Sequence, residues 1–258
     1  FFFGLYFRCP MKVLGVFGVV LQVYGPFLVI FALYLHRVPQ LCLVMIVGGF
    51  FYVLASIVPA ILWHMVRVPW VLLPLSVMAQ EGMCFLLYRI LRYAIAGFES
   101  KNLQLYASRL GILPIAFAAG LGYGLVHGLL QLGSLLSFET SVPESGWYNM
   151  EVCELMPYTY AQAFVAFCFV HLHACWAMIA FWGYSQIITK DSLRRSGDWH
   201  PKVMVAFVWV SHVVSALLTL GNCQTSIPAL FSMLILSCAL VYNVCEKQIS
   251  IADAVPNA

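Results

Sequence analysis

Seven apolar runs, each near the roughly 20 residues a helix needs to cross a hydrocarbon core, leave this chain few folds to choose from. They cover residues 11–35, 40–66, 69–93, 111–136, 156–187, 203–220 and 227–244. Of the 258 residues, 63% are hydrophobic and 9% charged, against the roughly 25% charged residues of soluble domains. An open chain in lipid must satisfy its backbone polar groups within each segment, so the runs read as helices. The ten-residue alternating segments of a membrane barrel are absent. The expectation is an all-α polytopic membrane protein, a bundle of seven transmembrane helices forming one domain over residues 1–258. The opening "FFFGLYFRCP" has no basic region ahead of its apolar stretch, so it does not read as a signal peptide. Gly25-Pro26 in the first run and Pro59 in the second predict kinks.

The basic residues orient the bundle, because Lys and Arg in short loops mark the cytoplasmic side. One side collects Arg8, Lys12 and Arg67; the other collects Arg37, Arg89, Arg92, Lys101, Arg109, Lys190, Arg194, Arg195, Lys202 and Lys247. This three-to-ten split puts the N-terminus in the lumen or outside and the C-terminus in the cytosol. Glu139, Glu144, Glu151 and Glu154 crowd the loop 137–155, which holds no Lys or Arg and reads as lumenal. Nine cysteines show no CxxC spacing or regular framework, so most read as small buried hydrophobes. Cys153 and Cys223 fall in loops on the same, lumenal side, which leaves a disulfide open to them.

The fourth run contains "GLGYGLVHG". At 100° per residue Gly120, Gly124 and Gly128 advance by only 40° each, so they form one shallow groove with His127 on its edge. Helices in lipid associate through close packing and interhelical hydrogen bonds, and a stripe of small residues supplies the first. Spacing alone leaves open whether the helix that fills the groove belongs to this chain or to another.

Polar groups at bilayer depth are costly and call for a partner. They are few: Gln80 and Glu81 in the third run, His127 in the fourth, His171 and His173 in the fifth, His212 in the sixth. Glu81 is the one carboxylate well inside a run, readable as a protonated or hydrogen-bonded structural group beside Gln80, or as a proton-relay or ligand group. His171 and His173 are about 200° apart, so only one faces inward. His173 shares a face with Trp176, and a His173–His212 hydrogen bond between neighbouring helices is the preferred geometry.

Several chemistries do not fit. A catalytic zinc takes three protein ligands, usually His with carboxylate, and the second carboxylate is missing; nor do the histidines make a clear pair of haem ligands. No cofactor is expected. Asp191, Asp198 and Asp253 lie in loops or the tail, so the two acids of an intramembrane aspartyl protease are not present. Phosphate loops, nucleophile elbows and dinucleotide fingerprints are absent, and nothing suggests nucleic acid as a partner. A seven-span receptor or transporter, with Glu81, His127 and His173 lining a ligand cavity, is the rival reading.

Taken in order, "YGPF" in the first run, "VGGFFYVLAS" in the second, "QE" in the third, the three spaced glycines in the fourth, "HACW" in the fifth and "SHVVSALLTLGN" in the sixth resemble the anterior-pharynx-defective family. That family supplies the multispanning scaffold subunit of gamma-secretase. The sequence departs from the family after Gln80-Glu81, where it stays apolar until Arg89, and in the additional Gly122 and His127. The resemblance implies a noncatalytic subunit that holds together a presenilin-like protease subunit, a nicastrin-like glycoprotein and a small membrane subunit among membrane lipids. It further implies residence in the endoplasmic reticulum, Golgi, endosomes and plasma membrane, and a part in Notch signalling. Gly120, Gly124, Gly128 and His127 would pack helices or partners. His173 and His212, with Gln80 and Glu81, would line a polar pocket that receives a segment of the protease.

Overall fold

The computed structural model describes residues 13–100, 111–140, 158–189 and 200–254. These form seven helices: α1 (Val13–Leu33), α2 (Pro39–Trp63), α3 (Pro69–Ser100), α4 (Ile112–Thr140), α5 (Tyr158–Thr189), α6 (Pro201–Leu218) and α7 (Cys223–Ala254). All seven contain a stretch long and apolar enough to cross a membrane, and no strand occurs among the described residues. The apolar runs locate the helices but understate α3 and α7. Their polar continuations, "AGFES" and "CEKQISIADA", stay helical because a helix satisfies its backbone equally well on leaving lipid.

Prolines punctuate the starts. Pro39, Pro69 and Pro201 open α2, α3 and α6, where the missing N–H is no loss and the fixed φ suits the first turn. His200 caps α6 by accepting the Lys202 amide at its Nδ1, 3.3 Å away. Pro26 and Pro59 lie inside α1 and α2, and both helices continue through them. The α6–α7 turn is tied by Asn222 Oδ1, which accepts from the Thr225 amide at 3.0 Å, and by Ser226 Oγ, which donates to the Leu218 carbonyl. Cys223, at the start of α7, is disulfide-bonded; its candidate partner Cys153 lies outside the described residues, as does most of the acidic loop.

α5 is the axis of the bundle. Its apolar window is 78% buried, against 22% for α7, and it packs against α1, α3, α4, α6 and α7. A helix apolar on every side belongs in an interior. Its alanines (Ala161, Ala163, Ala166, Ala174, Ala177 and Ala180, all buried) let neighbours approach closely. The widest interfaces are α4 with α5 and α2 with α4, and both are built on glycine.

The Gly120, Gly124 and Gly128 stripe faces α5 of the same chain. A methyl group at Gly120 would lie 2.7 Å from the His173 carbonyl oxygen, one at Gly124 would fall on the Val170 carbonyl, and one at Gly128 would meet Val170 and Tyr24. Gly122 serves the opposite neighbour: a side chain there would strike the Met45 carbonyl and the Gly49 amide of α2. Gly48 reciprocates, with its α-carbon turned to the Ala119 carbonyl. α4 is therefore clamped backbone to backbone from two directions, and Gly122 is what admits the second.

A polar core between the helices

The close α4–α5 approach brings short side chains within reach of each other. His127 Nδ1 lies 2.9 Å from His173 Nε2 and 3.0 Å from the Tyr52 hydroxyl of α2. A neutral ring nitrogen offers one lone pair or one hydrogen, so the hydroxyl and the second imidazole compete for the same atom. Phe169 stacks on His127 with ring centroids 4.8 Å apart, and Tyr52 meets Tyr123 edge to face at 4.9 Å.

His173 and His212 do meet, but not through a hydrogen bond. Their rings are 5.2 Å apart at 82°, an edge-to-face contact. The hydrogen bond of His173 goes to His127, and that of His212 goes to Glu81, whose Oε1 accepts from Nδ1 at 2.7 Å. The expected His173–His212 bond gives way for a physical reason. A carboxylate oxygen is a better acceptor for an imidazole N–H than a second imidazole, and Glu81 of α3 reaches His212 across the α3–α6 interface. Trp176 closes the other face of His212, stacked at 4.4 Å and 28°. Glu81, His173 and His212 are all buried.

Gln80 Nε2 donates to Ser76 Oγ at 3.1 Å, while the Gln80 carbonyl accepts from the Tyr123 hydroxyl at 2.7 Å. Gln131 Nε2 donates to Gln162 Oε1 at 3.2 Å. His171 faces elsewhere: its Nδ1 bonds the Phe167 carbonyl of its own helix at 2.8 Å, and its ring packs on Phe167. Glu81 and His212 were expected to line the pocket but not to pair with each other, and Tyr52 and Tyr123 were not expected as site residues. Tyr123 was findable, since it precedes His127 by one helical turn and so shares its face. Tyr52 and the Glu81–His212 pairing depend on which helices are neighbours, and periodicity does not carry that.

A cavity of about 280 Å³ opens beside this network, lined by Tyr52, Ser76, Gln80, His127, Gln131, Phe169, His212 and Thr219 among others. Ser76 near the start of α3, Gln131 in the second half of α4 and Thr219 at the end of α6 place it toward the end of the bundle that carries the α2–α3 and α6–α7 turns. Among the described residues, Gln80 Oε1 is buried without a hydrogen-bond partner, and no group of three or more His, Cys, Asp or Glu side chains is arranged to hold a metal.

The family model described as "Aph-1 protein" matches residues 14–250. A relative in Arabidopsis thaliana, "Gamma-secretase subunit APH1-like", is 29% identical over 255 residues, covering 93% of this chain and 94% of the relative. "Gamma-secretase subunit APH-1B" of Homo sapiens is 25% identical over 202 residues, covering 70% of this chain and 76% of the relative. "Gamma-secretase subunit Aph-1" of Drosophila melanogaster is 23% identical, covering 80% of each.

Proposed function

The chain belongs to the Aph-1 protein family, and from that premise we propose that it is a noncatalytic scaffold subunit of a gamma-secretase-type intramembrane protease complex. Its relatives carry the name of gamma-secretase subunits, and its seven membrane-spanning helices make it an integral membrane protein. The partners in this reading are a presenilin-like protease subunit, a nicastrin-like glycoprotein and a small membrane subunit, assembled in the endoplasmic reticulum and Golgi and carried on to endosomes and the plasma membrane.

The observation that carries the reading is the cavity. At about 280 Å³ it falls just below the roughly 300–1,000 Å³ of small-molecule pockets, and suits a few side chains of an inserted segment rather than a whole helix. Its walls offer hydrogen-bonding groups already held in place: His127 and His212 through their own bonds, and Gln80 through Ser76. A protease segment entering there satisfies Gln80 Oε1, which has no partner within the described chain. Held rings also lose little freedom on binding, which favours a stable complex over a transient one.

Affinity purification of the tagged chain in a mild detergent, followed by mass spectrometry, tests the proposal. A scaffold brings down the same membrane subunits in fixed ratio, including one with an aspartyl protease sequence. Recovery of the chain alone, with a small molecule retained in the cavity, would favour the receptor or transporter reading instead.

A further inference from the structure

Behind the paired carboxylate lies a second, much smaller space. A small pocket of about 10 Å³ is lined by Glu81, Tyr123, His173, Trp176, Ala177 and Phe181 with four further residues; these six are all buried. Two of these residues each carry a buried polar atom with no hydrogen-bond partner among the described residues: Glu81 Oε2 and Trp176 Nε1. Neither is a marginal group. Glu81 spends its other oxygen on His212 at 2.7 Å, and the Trp176 ring is fixed by its stack on His212 and its edge contact with His173 at 5.6 Å.

We propose that this pocket is a binding site for a single ordered water molecule that bridges Trp176 Nε1 and Glu81 Oε2. The two atoms specify the ligand between them. An indole N–H only donates, and a carboxylate whose other oxygen accepts from an imidazole N–H presents a second acceptor, so the occupant accepts on one side and donates on the other. Water does both, taking the indole hydrogen on its oxygen and giving one of its own hydrogens to Oε2. A metal cation does not: it needs about six oxygen ligands for calcium or magnesium, and the indole N–H presents it a positive end. The size agrees as well, since a void of roughly 10–15 Å³ is enough for one water provided two or more polar partners face it. Such a site is independent of whether the larger cavity receives a partner.

The experiment is a density map of the purified complex, or of the chain alone if it purifies alone, at a resolution that shows ordered water. The expected result is one peak within hydrogen-bond distance of both Glu81 Oε2 and Trp176 Nε1. An empty pocket, a peak touching only one of the two atoms, or a direct indole–carboxylate contact overturns the proposal. Trp176→Phe supplies the second test: phenylalanine keeps an aromatic ring to cover His212 but has no N–H. Loss of the peak with the Glu81–His212 contact intact is expected. Retention of the peak at the same position in that variant would mean that the indole does not hold the water. Should Trp176→Phe fail to assemble, the map of the unmodified protein decides by itself.

Discussion

Adding one methyl group to α4 at Gly124 should destabilise the bundle, whereas the same addition to α3 at Gly82 should not. A Cβ built on Gly124 lies 2.9 Å from Val170 Cα and 3.0 Å from its carbonyl carbon, and nearer still to the carbonyl oxygen. Carbon atoms are most stable at roughly 3.5–4.0 Å, so α4 and α5 must part by about 0.5–1 Å to admit the methyl. The obstacle is backbone, which cannot rotate out of the way as a side chain can. Overpacking of this kind costs roughly 1–3 kcal/mol, and alanine's better helix propensity returns about 1 kcal/mol of it. With rigid backbone as the obstacle the cost lies at the upper end, about 3 kcal/mol, so a net loss of about 2 kcal/mol is expected for Gly124→Ala. Gly124→Leu should lose more and should also reduce recovery of the partner subunits. Gly122→Ala should resemble Gly124→Ala, because its methyl strikes the α2 backbone at Met45. At Gly82 nothing lies within 4 Å of an added Cβ, so only the propensity term acts and stability should hold or rise slightly. Reversible unfolding in mixed micelles, driven by increasing mole fraction of a denaturing detergent, measures all three alanine variants on one scale. Stability of Gly124→Ala equal to that of the parent, or equal losses at Gly82 and Gly124, would refute the backbone-clamp account.

Three other predictions follow from the same geometry. A glycosylation acceptor placed near Glu144 should be modified and one placed after Lys247 should not; the reverse pattern would overturn the orientation read from the basic residues. Peptide mapping without reduction should join Cys223 to Cys153, because Cys223 is disulfide-bonded, the six other described cysteines are free, and Cys153 closely precedes α5, which packs on α7; a Cys9–Cys223 peptide would refute this choice. Among the histidines, His127→Ala and His173→Ala should be non-additive in partner recovery and stability, since they share a hydrogen bond at 2.9 Å and membrane cycles of this kind average about 0.6 kcal/mol. His171→Ala should be nearly silent, its ring being bonded to its own helix, and a His171 effect matching that of His173 would remove the paired network.

The helices were legible because lipid enforces a rule that can be read locally: a segment near the spanning length with few charges must be helical. Helix ends were less so, as α7 shows by running on past its apolar run to Ala254. Water tolerates a helix as readily as a loop there, and composition stops discriminating. The glycine groove was legible for a similar reason, since a repeat of four on a helix fixes a face whatever the face meets. What it meets is another matter. Gly120, Gly124 and Gly128 could have awaited a helix of another protein, and only the fold shows α5 of the same chain against them.

The histidines make the same point about chemistry. Sequence placed His173 and His212 at similar depth on consecutive helices, and from that a mutual hydrogen bond was the economical guess, as each imidazole needs a partner in lipid. The guess lacked the position of α3, which delivers a carboxylate to His212, and the position of α4, which delivers a second imidazole to His173. With those partners in place the two rings meet edge to face rather than through a hydrogen bond. Gly122 and His127 then acquire a joint structural explanation. Gly122 draws α2 onto α4, which sets Tyr52 beside His127, and the Gly120–Gly124–Gly128 face draws α5 close enough for His127 to reach His173. A polar side chain at position 127 is tolerated in this interior because the close helix approach sets two candidate partners, Tyr52 and His173, beside His127 Nδ1, and either one satisfies it.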